Sequence, residues 1–419
     1  MLPALSVGLA VALLAALVLQ ALLTLAFTVI MRHRLAARPQ LASPAPPAEV
    51  VLCLRGADPS LPAALAALAG QTYPGPWRLL VVVDSRDDPA WPLAEATLTR
   101  LEVDGMARWQ AYRLVTLAGR PKGGSLKCAS LRQAFGDLDP GTRVVALVDV
   151  DAVVAPGWLT ALAAGVGQPG VGAVSGNRWY DPEHGSGPGT VRAIWNGGAL
   201  VLMTLLGIPW GGSLAVRRPL IEKYGWRGDL ATSFGEDTSL PAPLARSGLR
   251  HAFRPELVVV DPDDSIELTQ LLHWISRQLF TVRLHHPAWP LVALHGLASW
   301  LLLLPALPLA GLALVRGHAA AAAILAVAVG VYEAGVVGLL LAIEASVRHA
   351  LRPLGGQPAP SRPGTARALA RWLPLAQWLY GLATLRAALT RTVEWRGVHY
   401  VVRGRGVALV APPAKEGCE

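Results

Sequence analysis

Cysteine and charged side chains are scarce in this 419-residue chain, and each scarcity excludes a class of protein. The 3 cysteines, Cys53, Cys128 and Cys418, are odd in number and lack the spacing of metal ligands. They do not form a disulfide framework, and they are typical of a reducing compartment. Charged residues are only 16% of the chain and hydrophobic residues 53%, with a mean hydropathy of +0.42. Soluble proteins of this length are rarely so apolar, so we expect membrane-spanning segments.

The chain also lacks a basic stripe with interleaved aromatic residues, although its net charge is +9. Many of the surplus arginines follow apolar segments instead, which favours contact with anionic lipid headgroups. We therefore expect a bilayer as partner and no nucleic acid. No repeat of about 20 to 50 residues is visible in the sequence, so a solenoid is not expected either.

Residues 2–31 lack any charged side chain. About 20 helical residues cross the roughly 30 Å hydrocarbon layer, so we predict a transmembrane helix over residues 1–31. A cleaved signal peptide is the alternative, but the apolar run is far too long for one. In addition, the first basic residue, Arg32, follows the run instead of preceding it.

Two further apolar stretches, about residues 289–315 and 319–343, are separated only by Arg316, Gly317 and His318. They predict a transmembrane hairpin within residues 287–345. Arginines follow the first and third spans, which places both flanks in the cytoplasm under the positive-inside rule. These arginines are Arg32, Arg34 and Arg38, and Arg348, Arg352, Arg362, Arg367 and Arg371. We predict a multi-pass protein of a bacterial plasma membrane with its amino terminus outside.

A cytoplasmic α/β domain is predicted over residues 48–286, after a stiff proline-rich linker over residues 32–47. Apolar runs at residues 50–54, 78–84 and 144–149 read as buried strands, and residues 61–70 read as a helix. This alternation is typical of a mostly parallel, doubly wound sheet, which binds ligands at the carboxyl ends of its strands.

Residues 346–419 are predicted to follow the last span in the cytoplasm. They comprise a basic loop that is rich in proline and glycine over residues 355–364, an amphipathic helix over residues 369–389 and a strand-like tail over residues 393–402. We expect the helix to lie in the membrane interface, although a fourth crossing is the alternative. The tail is assigned no catalytic role.

Two aspartates, Asp149 and Asp151, end the third predicted strand and should project to the same side of it. At about 6 to 7 Å and an effective dielectric near 20, their charges repel by roughly 2 to 3 kcal/mol. A divalent cation relieves this repulsion, and Mg²⁺ is commonly held by one or two carboxylates plus substrate phosphates. The pair therefore suggests a nucleotide diphosphate bridged through metal, although Asp-x-Asp is also common in turns.

Four sites in this order carry a resemblance to a known family. They are Asp84, Asp149 with Asp151, Glu236 with Asp237, and the sequence QLLHW from Gln270 to Trp274. This order resembles membrane-bound glycosyltransferases of the family 2 and 21 type with the GT-A fold, above all ceramide glucosyltransferases and their bacterial relatives. The sequences LRGADPSL (residues 54–61) and DSRDDPAW (residues 84–91) match two further family motifs. The likeness covers about residues 50–289 together with the predicted spans on either side.

The resemblance implies that Asp84 binds the uracil or ribose of a UDP-sugar donor, with Asp88 sharing that role. It also implies that Lys127 meets the sugar or the diphosphate, with Lys122 as a weaker candidate. Each residue has a purely structural alternative. Asp84 can cap a helix or turn, Asp88 can shape the turn before Pro89, and the lysines can be solvated surface residues.

In the resembled family the aspartate of the Glu-Asp pair is the general base, so Asp237 would deprotonate the acceptor hydroxyl and Glu236 would orient the acceptor. The structural alternative is the ordinary preference of acidic residues for the start of a helix. Asp149 and Asp151 would bind Mg²⁺ or Mn²⁺, with Asp149 the safer ligand.

Residues 270–274 correspond to a family motif that covers the nucleotide, but His273 stands where the family has arginine. Histidine is mostly neutral at pH 7, so Arg277 or Arg283 would take over part of the binding of the diphosphate. Gln270 and Trp274 keep the donor-binding roles of the motif. Trp274 can instead be an interfacial aromatic residue.

Together these features predict an inverting hexosyltransferase that moves glucose from a UDP-sugar to a lipid hydroxyl. Ceramide-like lipids, hopanoids and diacylglycerol are the acceptors considered. Glu333, inside the third span, faces either protein or the acceptor path. The alternatives are a polysaccharide synthase and a catalytically silent membrane scaffold.

Overall fold

A computed structural model describes residues 1–182, 185–263, 265–351 and 363–410. Four sequence features named above lie wholly or mostly outside these ranges. They are Cys418, Arg352, Arg362 and most of the loop over residues 355–364.

A seven-stranded sheet forms the centre of the predicted cytoplasmic domain, in the order β3-β2-β1-β4-β7-β5-β8. Strand β7 is antiparallel to both of its neighbours, and the other pairs are parallel. A separate two-stranded sheet joins β6 and β9. The strands are β1 Ala48–Leu54, β2 Trp77–Val83, β3 Ala111–Thr116, β4 Val144–Val148, β5 Val171–Ser175, β6 Arg178–Tyr180, β7 Ser213–Arg217, β8 Arg250–Phe253 and β9 Val259–Asp261.

The strands read from the sequence match β1, β2 and β4 to within two residues at each end. They form because valine and leucine runs can be buried on both faces of a parallel sheet. The helices are α1 Leu2–Ala36, α2 Leu61–Ala69, α3 Ala90–Val103, α4 Leu126–Ala134, α5 Trp158–Gly167, α6 Gly187–Leu206, α7 Arg218–Glu222, α8 Trp226–Asp229, α9 Glu236–Ser239, α10 Pro241–Ser247, α11 Leu268–His285, α12 Trp289–Leu303, α13 Ala306–Val315, α14 Ala319–Leu351 and α15 Thr365–Leu389.

Helices cover both faces of the sheet. Apolar residues of α2, α3 and α5 pack in one core cluster with one face. Residues of α4, α8 and α10 pack in a second cluster with the other face. The sheet is therefore doubly wound, as the sequence predicts, and its carboxyl edge is left for polar side chains.

Four segments of the described chain are long and apolar enough to cross a membrane: α1, α6, α12 with α13, and α14. The most apolar windows of α1 and of α12–α13 are each 17% buried inside the protein, and that of α14 is 28% buried, whereas that of α6 is 56% buried. The helix α6 was not expected from the sequence. Its greater burial reflects packing against α15 and β6.

Two of the predicted apolar segments have different limits in the structure. The second is divided into α12 and α13 around Pro305, which lacks the backbone N–H needed to continue the hydrogen-bond ladder. The third continues to Leu351, eight residues past the expected limit of 343, and α1 likewise continues past residue 31 to Ala36. Polar ends of these helices thus extend toward the sheet domain.

The tail of the described chain forms a three-stranded antiparallel sheet. Its strands are β10 Thr392–Trp395, β11 Val398–Arg403 and β12 Gly406–Leu409. The turn between β10 and β11 consists of Arg396 and Gly397, with φ values of 49° and 73°. Positive φ at both central residues suits the twist of a tight hairpin, but it is unusual for arginine.

Candidate active site

A cavity of about 440 Å³ lies at the carboxyl ends of β1, β2 and β4 and continues between the long apolar helices that are candidate membrane spans. Eight of the site residues predicted from the sequence line it. They are Asp84, Lys127, Asp149, Asp151, Glu236, Asp237, Trp274 and Arg277. Acidic groups from distant parts of the chain therefore share one cavity, because parallel strands bring their carboxyl ends to the same edge.

Lys127 bridges two carboxylates in this cavity. Its Nζ lies 2.6 Å from Asp149 Oδ1 and 2.6 Å from Glu236 Oε1. Burial works against the charge, but the two carboxylates dominate and raise the pKa of Lys127 well above its ordinary value. A permanent positive charge therefore stands between the strand end of β4 and the start of α9.

The start of α4 fixes the position of Lys127. Ser125 caps this helix by accepting a hydrogen bond from the N–H of Cys128 at 3.1 Å. Gly124 precedes the cap at φ 75°, and a Cβ there would clash with the carbonyl oxygen of Leu230. The glycine-bearing loop thus allows close backbone packing, which places the first helical turn under the cavity.

Asp237 is held by two backbone donors. The N–H of Gly211 donates to its Oδ2 at 2.9 Å and the N–H of Thr238 donates to its Oδ1 at 2.6 Å. Burial raises the pKa of Asp237 to about 7, with a further contribution from Glu236, while Lys127 and the two N–H groups oppose the rise. A carboxylate with a pKa near neutrality is suited to accept a proton.

Gly211 is a site residue that the sequence analysis missed. It lies in the loop before β7, and a Cβ at this position would overlap Glu236 Oε1, the oxygen that contacts Lys127. The Gly-Gly pair between an apolar helix and a strand was the available signal, because paired glycines often mark a close backbone approach.

Substituting Gly211 with alanine should push the Glu236 carboxylate away from Lys127 and lower kcat by roughly 10²-fold, as small displacements in active sites do. The midpoint of thermal unfolding should fall as well, because the Glu236 carboxylate is buried and its contact with Lys127 would be disrupted. Gly228→Ala is the matched control, since a Cβ at this exposed position meets nothing within 4 Å. Equal activity of the two variants would contradict this prediction.

Asp151 does not stand free as a metal ligand in this arrangement. Both of its oxygens accept hydrogen bonds from Arg178, at 2.5 and 2.7 Å. Burial alone would raise the pKa of Asp151, but the guanidinium prevails and lowers it. Arg178 also pairs with Asp261 at 3.2 Å and lies 5.0 Å from the ring centroid of Trp210.

Within the described ranges, no cluster of three or more His, Cys, Asp or Glu side chains is arranged to hold a metal ion. Asp149 suits the ion that the sequence suggests better, since only its Oδ1 is paired, with Lys127, and a single carboxylate plus phosphates is a common magnesium site. The second predicted ligand, Asp151, does not fit, because Arg178 occupies its carboxylate.

The Asp84 side of the cavity is built partly from the tail. Asp84 forms an ion pair with Arg55, and burial raises the pKa of Asp84 against that pairing. Arg55 Nε donates to the carbonyl oxygen of Arg396 at 3.1 Å, and Arg396 pairs with Asp58 at 3.3 Å. The unusual φ of Arg396 therefore occurs in the turn whose residues connect the tail to the loop that follows β1.

Arg277 is one of two arginines expected from the sequence to replace the family arginine, whose position His273 occupies. It lines the cavity, 5.5 Å from the ring centroid of Trp395, and burial lowers its pKa to about 10. Arg283 does not reach the cavity lining and donates instead to the carbonyl oxygens of Ala388 and Thr390 at 2.6 Å. Of the two arginines considered, only Arg277 is in position.

Three predicted donor-binding residues do not line the cavity. Asp88 accepts hydrogen bonds from the N–H groups of Gly56 and Ala90, both at 2.9 Å, and thereby shapes the turn before α3. Gln270 is exposed near the start of α11. His273 is exposed as well, and its Nε2 lies 3.3 Å from the carbonyl oxygen of Glu394. Asp88 and His273 therefore contact the scaffold around the cavity, and Gln270 lies at its surface.

Several lining residues were not expected from the sequence. They are Arg55, Arg178, Tyr180, Trp210, Trp395, Arg396 and Tyr400. Three of them belong to the tail, where the run WRGVHY was visible but carried no acidic or nucleophilic group. Arg178 follows β5 without a local motif. These residues line the cavity because segments that are distant in the sequence pack together there.

The profile of Glycosyl transferase family 21 matches residues 10–408. An N-acetylglucosaminyltransferase of Rhizobium meliloti (strain 1021) is 30% identical over 258 residues, which are 57% of this chain and 57% of that protein. The alignment thus spans little more than half the length of this curated relative.

Two solved structures give weaker likenesses. A mannosyltransferase from Pyrobaculum calidifontis in complex with GDP-Man and Mn²⁺ is 19% identical, with a TM-score of 0.49, and the match covers 93% of this chain and 99% of that one. Glucosyl-3-phosphoglycerate synthase from Mycobacterium tuberculosis is 15% identical, with a TM-score of 0.35 and coverage of 60% and 85%. The family match and the mixed, mostly parallel sheet confirm the predicted resemblance and the GT-A fold.

Proposed function

Because the chain belongs to glycosyl transferase family 21, we propose that it transfers a hexose, glucose, from a UDP-sugar to the hydroxyl group of a membrane lipid. One observation carries the proposal. Asp237, with its pKa raised to about 7, lines a cavity that also holds the strand-end carboxylates and extends between apolar helices. A polar donor and a lipid acceptor can meet in such a cavity.

In the proposed reaction Asp237 accepts the proton of the lipid hydroxyl. The hydroxyl oxygen forms a bond to the anomeric carbon of the sugar while the bond from that carbon to the diphosphate oxygen breaks. UDP leaves with the electron pair of that bond. Attack from the face opposite the leaving group inverts the anomeric configuration.

Positive groups on the cavity wall support the departure of the diphosphate. Lys127 and Arg277 line the cavity, and fixed charges aimed at developing negative charge lower the barrier without reorganisation. Asp149 would hold Mg²⁺ or Mn²⁺, which when bound supplies further positive charge to the diphosphate. Arg178 is held by ion pairs with Asp151 and Asp261. Its positive charge lies beside Asp151, the residue that the sequence suggested as the second metal ligand.

The membrane side of the cavity suits an apolar acceptor. Apolar side chains of α1, α6 and α14 line it, among them Leu23, Val201 and Leu340. Acceptors that fit this chemistry are amphiphilic alcohols such as ceramide-like lipids, hopanoids and diacylglycerol. On this proposal the protein spans the membrane with its sheet domain in the cytoplasm and α15 at the interface.

The test is incubation of the purified full-length protein in lipid vesicles with a panel of radiolabelled nucleotide sugars, followed by lipid extraction. UDP-glucose and UDP-N-acetylglucosamine both belong in the panel, the latter because of the name of the curated relative. We expect label in an extractable lipid with UDP-glucose. Label only in an insoluble polymer would favour a polysaccharide synthase, and no label with any donor would favour a silent scaffold.

A further inference from the structure

Arg277 differs from the other cations that line the cavity. The lysine and arginine side chains in the described part of the lining are Arg55, Lys127, Arg178, Arg277 and Arg396. All of them except Arg277 form ion pairs with carboxylates of the protein. A partly buried cation without such a partner is costly. Within the described ranges, Arg277 is therefore the cavity cation that is free to bind an anionic ligand.

Trp395 of the tail is the neighbour that Arg277 does have. The central carbon of the Arg277 guanidinium lies over the Trp395 ring, 5.5 Å from its centroid. A cation within about 6 Å of an aromatic face is attracted by the ring, most strongly for tryptophan and where water is excluded. The Trp395 ring also packs edge-on against Phe234, with centroids 5.9 Å apart. Trp395 thus connects α11 with the segment that leads into α9.

The tail sheet is held in place by contacts that do not involve the Trp395 side chain. The N–H of Val407 donates to the carbonyl oxygen of Thr232 at 2.8 Å. The N–H of Gly124 donates to the carbonyl oxygen of Val407 at 2.9 Å. These bonds attach the sheet to the segment before α9 and to the glycine-bearing loop before α4. The position of Trp395 is therefore set by the backbone around it and does not depend on a ligand.

The residue at the position of the family arginine also contacts the tail. His273 Nε2 lies 3.3 Å from the carbonyl oxygen of Glu394, the residue before Trp395. His273 is exposed and does not line the cavity, whereas Arg277, one helical turn later on α11, does. The tail therefore contacts α11 at both positions, through its backbone at His273 and through the Trp395 ring at Arg277.

We propose that Trp395 is a positioning residue of the donor site, and that its ring holds the Arg277 guanidinium where it binds the diphosphate of the nucleotide sugar. Arg277, held in this way, takes over the role of the arginine that His273 replaces. A long side chain that is already held loses less conformational freedom when it binds phosphate oxygens, so the complex is tighter. This inference rests on the proposed function and adds to it a role for the tail sheet.

Equilibrium binding of UDP and of uridine to the purified full-length protein tests this role without any acceptor lipid. Uridine has the base and the ribose of UDP but no phosphate. Trp395→Leu should weaken UDP binding about tenfold, as loss of a partly desolvated cation–π contact does, and leave the affinity for uridine unchanged. Trp395→Phe keeps an aromatic face and should have an intermediate affinity for UDP.

A double-variant cycle shows whether Trp395 acts through Arg277. Arg277→Met should weaken UDP binding by itself, and Trp395→Leu should add nothing to that loss, because the contact between the two side chains is already absent. Trp395→Phe enters the same cycle, so the test does not depend on the folding of Trp395→Leu.

Trp378→Leu is the matched control, because it makes the same substitution at an exposed tryptophan of α15 that does not line the cavity. It should leave the affinity for UDP unchanged. An unchanged affinity for UDP in both Trp395 variants, additive effects of the Trp395 and Arg277 substitutions, or an equal loss of affinity for uridine overturns the proposal.

The positioning role and the proposed function fail in different ways. If the difference between UDP and uridine depends on Trp395 but no sugar reaches a lipid, the proposed function is wrong and the positioning role stands. If sugar reaches a lipid but the affinity for UDP does not depend on Trp395, the function stands and the positioning role is wrong. A wild-type protein that binds no UDP refutes both.

Discussion

Replacement of Asp237 by asparagine should lower kcat by about 10²- to 10⁴-fold, the contribution usual for a general base. The amide of asparagine has nearly the same shape, but it cannot accept the proton of the lipid hydroxyl. KM for the UDP-sugar should change little, because the diphosphate is expected to contact Lys127 and Arg277 instead. The measurement is steady-state transfer to lipid in vesicles.

The pH dependence of the wild type provides an independent readout. In the proposed mechanism Asp237 acts in its deprotonated form, and its pKa is raised to about 7. We therefore expect kcat/KM to fall about tenfold per pH unit below 7 and to level off above it. This fall at low pH is the acidic limb of the profile, and the residual activity of Asp237→Asn should lack it.

The matched control for Asp237→Asn is Glu95→Gln, which changes an exposed carboxylate on α3. It should retain full activity and the acidic limb. If Asp237→Asn kept more than about a tenth of wild-type kcat, the base would have to be another group, and the proposed mechanism would be wrong.

Replacement of Lys127 by methionine should have the second largest effect. Lys127 contacts Asp149 and Glu236 at 2.6 Å each, and its side chain is only 17% exposed. Removal of one partner from a buried ion pair leaves uncompensated charge and typically costs about 3 kcal/mol of stability. We expect a lower midpoint of thermal unfolding and a loss of transfer activity of at least about 10²-fold.

The pH profile of Lys127→Met distinguishes an electrostatic effect from simple loss of packing. Lys127 lowers the pKa of Asp237, so its removal should raise that pKa and move the acidic limb of any residual activity to higher pH. Lys122→Met, an exposed lysine in the same loop, is the matched control and should leave the limb in place. An unshifted limb in Lys127→Met would contradict the arrangement described here.

Much of the sheet could be predicted because its physical determinants are local. The apolar runs of β1, β2 and β4 are buried from end to end or nearly so, and such runs, alternating with helices, specify a parallel sheet. The topological rule for such sheets then located the strand-end aspartates Asp84 and Asp149 at one edge.

Other features could not be predicted because they depend on contacts between distant residues. Arg178 occupies the carboxylate of Asp151, although no motif joins these two positions. His273 carries the motif position of the family arginine, but Arg277, one helical turn later, lines the cavity. The orientation of α11 against the tail decides which of these two residues lines the cavity.

The sequence by itself determined the class of the protein: an apolar chain with segments long enough to cross a membrane, a doubly wound domain and acidic groups at its strand ends. These properties follow from hydrophobic periodicity, segment length and short motifs, all of which act within a few residues. Only the tertiary structure decided which charges meet and that the tail borders the cavity. Ion pairing and burial depend on distances between residues far apart in the chain, and those distances are fixed only when the whole chain packs.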